Sequence, residues 1–299
     1  MLKRLVQKNY AHEEEQYLAL IRDLLEEGSV ENGRNGDTFC AIGSSMYFSL
    51  EHNKIPILTT KKVAVKTCLK ELLWFVRGHT DNRLLKAQKV GIWNLNGTKE
   101  FLESRGLHYD EDDLGPVYGH QWRHFNATYS SRDEDYSGKG VDQLAKVLRD
   151  LQNPETRSSR RHVISAWNPC QVDDMALPPC HVLFQFNVTQ GNKLSCSLYQ
   201  RSGDVGLGVP FNIMSYAAFT ILVANHCGLE PYEFIYHLGN AHIYKEHEAA
   251  LRTQLQRTTF PFPTMTIKEK KQHIDDYELE DFVVDGYNYH EAIKMDMNQ

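Results

Sequence analysis

The amino-acid sequence predicts an α/β (α+β) fold in one domain over residues 1–299, a mixed β-sheet covered by helices. Three observations carry this. No Ser/Gly/Pro-rich linker, repeat or low-complexity tract divides the 299 residues, so a length that allows two ordinary domains reads as one. Helical periodicities and strand-like runs are interspersed along the chain. Two of the strand runs form a hairpin, so the sheet is mixed rather than purely parallel.

The elements follow in order. Residues 14–27 place Tyr17, Leu18, Ile21, Leu24 and Leu25 at helical spacing before Gly28, a helix stop. A second helix, 65–77, buries Cys68, Leu69, Leu72, Leu73 and Val76, carries Glu71 among them, and stops at Gly78. Residues 98–140 are polar, acidic and Gly-punctuated around DLGPVYGHQWRHF, the pattern of surface insertions about an ordered segment. A helix over 141–152 ends before Pro154. HVISAW, VLFQFNVT and LSCSLYQ read as strands, the last two joined by a turn at Gln190-Gly191-Asn192. Helices are expected over 211–226 and 242–256, and IDDYELEDFVV is strand-like.

Composition narrows the function. Hydrophobic residues are 41% and charged residues 24%, which is the balance of a folded globular chain and not of a disordered one. Lys plus Arg number 33 against 39 Asp plus Glu, a net charge of -6, so no global positive field would hold the chain on nucleic acid or an anionic membrane. The N-terminus lacks the apolar run of a secretory signal, and the most apolar stretch, 213–223, is too short for a bilayer. The expected location is the cytoplasm, with the nucleus second. Six cysteines without a CxxC spacing read as free thiols, and no metal is expected.

Three groups of residues carry chemistry. Cys180 in MALPPCH follows two prolines at a loop-to-strand junction, a rigid setting for a nucleophile whose thiolate fraction an arginine or histidine can raise. A buried inert thiol is the alternative for that segment alone, and His181 does not decide it, because neighbours on a strand point to opposite faces. Arg160 and Arg161 in RSSRRHV, and Arg201 with Ser202 in YQRSGDVGLG, offer forked and hydroxyl donors to phosphate. Arg34 in GRNGDT is a further cation on a Gly-flanked loop. Polar residues on apolar helices form the third group: Glu71, whose burial would raise its pKa, Asn212, whose amide matches the imide edge of uracil, and His242 with Tyr244.

Taken together, PILTTK, KELLWFVRGHT, GIWN, DLGPVYGHQWRHF, VDQL, SRR, ISAWNP, MALPPCH, LSCSLYQRSGDVGLGVPFNI, HLGNAHIY and DGYNYH resemble the thymidylate synthase family over nearly the whole chain, with insertions of the eukaryotic type. The resemblance implies the thymidylate synthase fold and reductive methylation of dUMP to dTMP. Methylenetetrahydrofolate would serve as one-carbon and hydride donor. It implies Cys180 as the nucleophile toward uracil carbon 6, Glu71 as manager of protons and Tyr118 beside the carbon 5 proton, with Arg201 and Asp204 also catalytic. It assigns the base edge to Asn212 and the sugar hydroxyl to His242 and Tyr244. The phosphate falls to Arg34, Arg201 and Ser202 together with Arg160 and Arg161 from the partner of a homodimer. Trp93, Asn96, Asp204, Leu207 and Phe211 would line the folate side.

The chain departs from the family pattern in the loop, where Arg34-Asn35-Gly36-Asp37-Thr38-Phe39 stands for the usual Arg-Thr-Gly-Thr-Gly-Thr, at Asn94 after Trp93, at Asn240, and at its last residue, Gln299. Two other readings share the fold. A dUMP hydroxymethylase would quench the same intermediate with water, against which Trp93 argues as a shield; an RNA-binding regulator is disfavoured by the acidic charge. A Cys-His hydrolase is a third reading, excluded if no ester or amide is cleaved while nucleotide turns over.

Overall fold

The structure, a computed structural model, describes residues 10–33 and 36–296. The helices are α1 (Glu15–Glu27), α2 (Val65–Val76), α3 (Asn82–Ala87), α4 (Lys99–Ser104), α5 (Tyr118–His124), α6 (Gln143–Gln152), α7 (Gly208–Cys227) and α8 (Glu248–Gln254). The strands are β1 (Ser29–Gly33), β2 (Gly36–Ser49), β3 (Val163–Ser165), β4 (His181–Thr189), β5 (Lys193–Asp204), β6 (Glu230–Tyr244), β7 (Thr264–Ile267) and β8 (Phe282–Asp285). Among the described residues the main sheet is six-stranded, in the order β1-β2-β6-β5-β4-β3, and β7 pairs with β8 separately.

The sheet is mixed, as the sequence predicts. β4 and β5 form the expected hairpin, while β5 and β6 run parallel, from Lys193 opposite Glu230 to Asp204 opposite His242. A parallel pair needs a crossover, and α7 supplies it. That helix is 20 residues long and apolar enough by length and composition to cross a membrane, more than the stretch read from the sequence. It is nevertheless a core helix, with 78% of its most apolar window buried against β5, β6 and α2. Gly228 caps it at φ 69, a left-handed conformation that suits glycine.

Side chains alternate across each strand, so residues 184 and 186 of β4, 194, 196 and 198 of β5, and 234, 236 and 238 of β6 enter one contiguous core with α1, α2 and α7. α1 buries the five residues its spacing selects. Just before it, the buried Glu14 carboxylate accepts from the amides and hydroxyls of Thr59 and Thr60 at 2.5–3.0 Å, tying the PILTTK segment to the helix.

Several sequence expectations need correction. His242 and Tyr244 stand on strand β6, not on a helix; of the expected 242–256 helix only 248–254 is α-helical. β6 reads poorly because Gly239 and Asn240 interrupt its alternation, and β2 because glycine and serine dilute it. Gly239 is favoured there, since a Cβ would stand 2.9 Å from the backbone carbonyl oxygen of Arg201. HVISAW pairs only over Val163–Ser165, and IDDYELEDFVV is two 3-10 turns followed by β8. Within segment 98–140 the expected ordered stretch is present, buried over residues 112–122 and containing α5; the polar part before it adds α4, which the sequence does not announce.

Candidate active site

The side chains that carry chemistry gather where the two parallel strands end. Arg201, Ser202 and Asp204 occupy the C-terminal end of β5, His242 lies opposite Asp204 on β6, and Asn212 sits on the first turns of the crossover helix α7. Ligand sites in open α/β sheets form in the crevice beyond the carboxyl ends of parallel strands, where the connecting segments leave the sheet.

Cys180 precedes β4 and is fixed by backbone bonds on both sides. Its N–H donates to the Tyr118 hydroxyl at 2.7 Å and its carbonyl accepts from the Arg201 N–H at 2.9 Å. Arg201 donates through Nε and Nη2 to the carbonyls of Pro179 and Pro178, at 3.0 and 2.9 Å, which brings Nη2 to 3.8 Å from Sγ. The two prolines thus hold the guanidinium as well as the thiol. Burial pushes the Cys180 thiol up, and Arg201 opposes without reversing it, so the net direction is the opposite of the activation anticipated from sequence.

Tyr118 reaches the cysteine because α5 packs closely on the end of α2: a Cβ at Gly119 would lie 2.7 Å from the His79 carbonyl oxygen. Its hydroxyl accepts from two backbone amides, the second being His181 at 3.4 Å, and so retains its own proton for donation. Burial drives that proton's pKa well up. Beside it, Trp93 Nε1 donates to Glu71 Oε1 at 2.8 Å, while burial lifts the Glu71 carboxyl from 4.5 to about 7 against that bond. Rings of Trp93 and Tyr118 pack edge to face at 6.2 Å, so Glu71, Trp93, Tyr118 and Cys180 form one chain of contacts.

The raised carboxyl makes a stability prediction. Unfolded Glu71 titrates near 4.5 and folded Glu71 near 7. Between those values the native state holds the extra proton, so stability is lost as pH rises through 7, by at most about 3 kcal/mol. Glu71→Gln keeps an acceptor for Trp93, and is expected to stabilise the chain at pH 8 and to leave it unchanged at pH 4. Thermal unfolding of both proteins across that range checks this; equal differences at every pH would mean that the folded carboxyl is not shifted.

Asn212 is oriented by a partner that sequence reasoning passed over. Its Nδ2 donates to His181 Nε2 at 2.8 Å, and burial takes His181 down to about 4, keeping the ring neutral and Nε2 an acceptor. Tyr236 lies 3.5 Å from Asn212 Oδ1 but gives its single proton to Gln200 at 2.6 Å. The amide therefore keeps one N–H and its carbonyl for a ligand. His181, engaged in this way, is no base for the thiol, which removes the Cys-His hydrolase reading.

Asp204 closes a tight turn, its Oδ1 accepting from Gly206 N at 2.8 Å and Leu207 N at 3.3 Å. Lys61, buried and lowered to about 8, donates to the Gly206 carbonyl. His247 Nε2 donates to the Asp296 carbonyl at 2.8 Å, so the C-terminal segment is held beside the same turn. Neither Lys61 nor His247 was singled out from sequence. Leu207 and Phe211 are half-buried, and Asn96 is buried. Asn240 Oδ1 accepts from His242 Nδ1 at 3.1 Å, a bond that needs no carboxylate.

Arg160 and Arg161 are not in this cluster. They are exposed residues just before the edge strand β3, where Arg160's carbonyl accepts from Gln185. Because β3 pairs Val163 with Gln185, they flank the far end of β4, five or more residues from Cys180, or roughly 15–20 Å of extended chain. Arg34 and Asn35 lie outside the described residues, as does Gln299. Asp37 is described, and pairs with Lys245 at 3.0 Å and Asn32 at 2.8 Å, which ties β2 to the end of β6.

With this geometry in place, comparison decides the family. The thymidylate synthase family model matches residues 15–299. The chain belongs to the thymidylate synthase family. It is 50% identical over 291 residues to thymidylate synthase 1/2 of Encephalitozoon cuniculi, covering 96% of this chain and 98% of that one. Thymidylate synthase of equine herpesvirus 2 is 50% identical over 289 residues, with the same two coverages. The bifunctional dihydrofolate reductase-thymidylate synthase of Leishmania major is 50% identical over 290 residues, of which this chain spans 55%. The activity is thymidylate synthase activity, a methyl transfer, and the fold is that of the family. Neither the hydroxymethylase nor the RNA-binding reading draws support from these relatives.

Proposed function

We propose that the chain converts dUMP to dTMP at the Cys180 cluster, with methylenetetrahydrofolate as co-substrate and two copies of the chain forming the working unit. The observation that carries the reading is the convergence of Cys180, Arg201, Tyr118, the Glu71–Trp93 pair and the His181-oriented Asn212 at one end of β5 and β6. Sulfur adds to uracil carbon 6, the carbon 5–carbon 6 double bond is broken, and its electrons move toward the 4-oxygen, leaving carbon 5 nucleophilic. Glu71, half-protonated near neutrality, exchanges protons on that side of the base. Tyr118 faces the thiol with an O–H to donate. Asn212 binds the imide edge, His242 and Tyr244 the sugar hydroxyl, and Arg34, Arg201 and Ser202 the phosphate.

The residues on the folate side fit a flat, partly polar heterocycle. Trp93, Leu207 and Phe211 supply apolar surface, and Asp204 and Asn96 supply polar groups. When bound, the folate supplies the carbon and the hydride; the chain's part is to orient it and to exclude water. Dihydrofolate formation from dUMP and methylenetetrahydrofolate, followed spectrophotometrically, tests the whole reading.

Homodimer formation is supported by the outer face of the sheet. Val163, Leu183 and Tyr199 are exposed, and the strand registers align Leu183, Tyr199 and His237 in one row and Gln185, Ser197 and Ile235 in the next. A half-apolar sheet face of this extent suits burial against a second copy. The position of Arg160 and Arg161, remote from their own Cys180, supports their service to the partner's phosphate site. A cytoplasmic location remains part of the proposal.

Asn212 gives a specificity test. Replacing its amide by a carboxyl, Asn212→Asp, presents the pattern of the cytosine edge, and a mispaired buried polar group costs about 1–3 kcal/mol. Selectivity for dUMP over dCMP, measured as a ratio of kcat/KM, should fall by one to two orders of magnitude on that scale. Unchanged discrimination would remove Asn212 from base reading.

A further inference from the structure

A cavity of about 250 Å³ adjoins the Cys180 loop on the side of α4, lined by Phe101, Arg105, Ala176, Leu177, Pro178 and Arg201. Four of its lining residues are apolar and two are arginines. Arg105 caps the C-terminus of α4, and its Nε is shut off from solvent without a hydrogen-bond partner. Among the described residues neither Arg105 nor Arg201 has a carboxylate partner; Arg201 spends its donors on the Pro178 and Pro179 carbonyls and rests against the Trp167 ring at 5.7 Å. Two arginines without a carboxylate partner on one partly apolar cavity form an electrostatic site for an anion.

We propose that this cavity binds a small organic oxyanion, a phosphate or carboxylate borne on an apolar body, and that it is coupled to the nucleotide site through Arg201. The apolar walls favour an anion with a hydrophobic body over a bare, strongly hydrated ion. Arg201 lines the cavity and also stands 3.8 Å from the Cys180 sulfur, so an occupant draws on the same positive charge that opposes the burial of the thiol. The binding half of the proposal stands on the cavity alone; the coupling half rests on the reading of Arg201 as a ligand of the nucleotide phosphate.

Phenyl phosphate, benzoate and inorganic phosphate are the probes, titrated calorimetrically into the full chain, with dUMP titrated separately. Phenyl phosphate or benzoate is expected to bind wild type more tightly than inorganic phosphate, and the tighter of the two identifies the headgroup. Arg105→Gln should weaken that binding at least tenfold and Arg105→Lys less, while the dUMP Kd stays within twofold in both variants, which also shows that they fold. Saturating dUMP should weaken the probe severalfold. Probe binding that is abolished by dUMP but indifferent to Arg105→Gln would mean occupancy of the nucleotide's phosphate position only, and would overturn the proposal, as would the absence of binding to wild type. Were dUMP itself not to bind while the probe still depended on Arg105, the cavity would stand and the nucleotide reading would fall.

Discussion

Cys180→Ser should abolish turnover, lowering kcat by at least about three orders of magnitude, while dUMP still binds within severalfold of wild type. The first half follows from chemistry: a serine hydroxyl is far less ionised than a thiol and a poorer nucleophile toward soft, electron-poor carbon. The second follows from the structure. Cys180 is positioned by its backbone, through the Tyr118 hydroxyl and the Arg201 amide, and Arg201 is held by proline carbonyls. None of these bonds uses the sulfur, whose polar neighbour is Arg201 Nη2 at 3.8 Å. Removing sulfur therefore leaves Arg201, Tyr118 and the Cys180 backbone where they were. Steady-state rates and calorimetric dUMP affinity check the two halves separately; turnover within tenfold of wild type would dismiss Cys180 as the nucleophile. Burial also raises the thiol, so alkylation of the Cys180 peptide by iodoacetamide should accelerate as pH climbs past the ordinary thiol range, and should be slower at pH 7 than at the exposed Cys170.

What the sequence discloses and what it withholds divide along the distance over which each signal acts. α1 and α2 are legible because their apolar spacing is local, and the β4–β5 hairpin because its turn at Gln190-Gly191-Asn192 lies between two apolar runs. β2 and β6 pair over most of their lengths, yet each contains glycine and small polar residues, and their register belongs to partners nearly two hundred residues apart. The site behaves in the same way. Cys180, Arg201 and Asn212 stand out as residue types in rigid local settings. The bond between Trp93 and Glu71, the neutral His181 that turns the Asn212 amide, and the Lys61 and His247 contacts around the 204–207 turn exist only after folding. His181 carries one sequence signal, adjacency to Cys180, and strand alternation sends it to the opposite face, where it holds the Asn212 amide and leaves the thiol alone.

The placement of Arg160 and Arg161 yields the second large effect, in mixed dimers. Within one chain these arginines flank the far end of β4 from Cys180, beside the exposed sheet face. If that face is covered by a second copy, each site combines one chain's cysteine with the other's arginines. A Cys180→Ser chain and an Arg160→Ala/Arg161→Ala chain should each be nearly inactive alone, the second because charge-assisted bidentate contacts to phosphate are the strong kind. In their heterodimer one of the two sites pairs an intact cysteine with intact partner arginines, and the other loses both. Random reassortment of equal amounts makes half of the dimers mixed, so activity should return to about a quarter of the wild-type value. Co-refolding the two chains, with differently tagged subunits to count the hybrids, makes the measurement. Hybrids that form and remain as inactive as both parents would require the arginines to serve their own subunit, against the strand geometry that separates them from it.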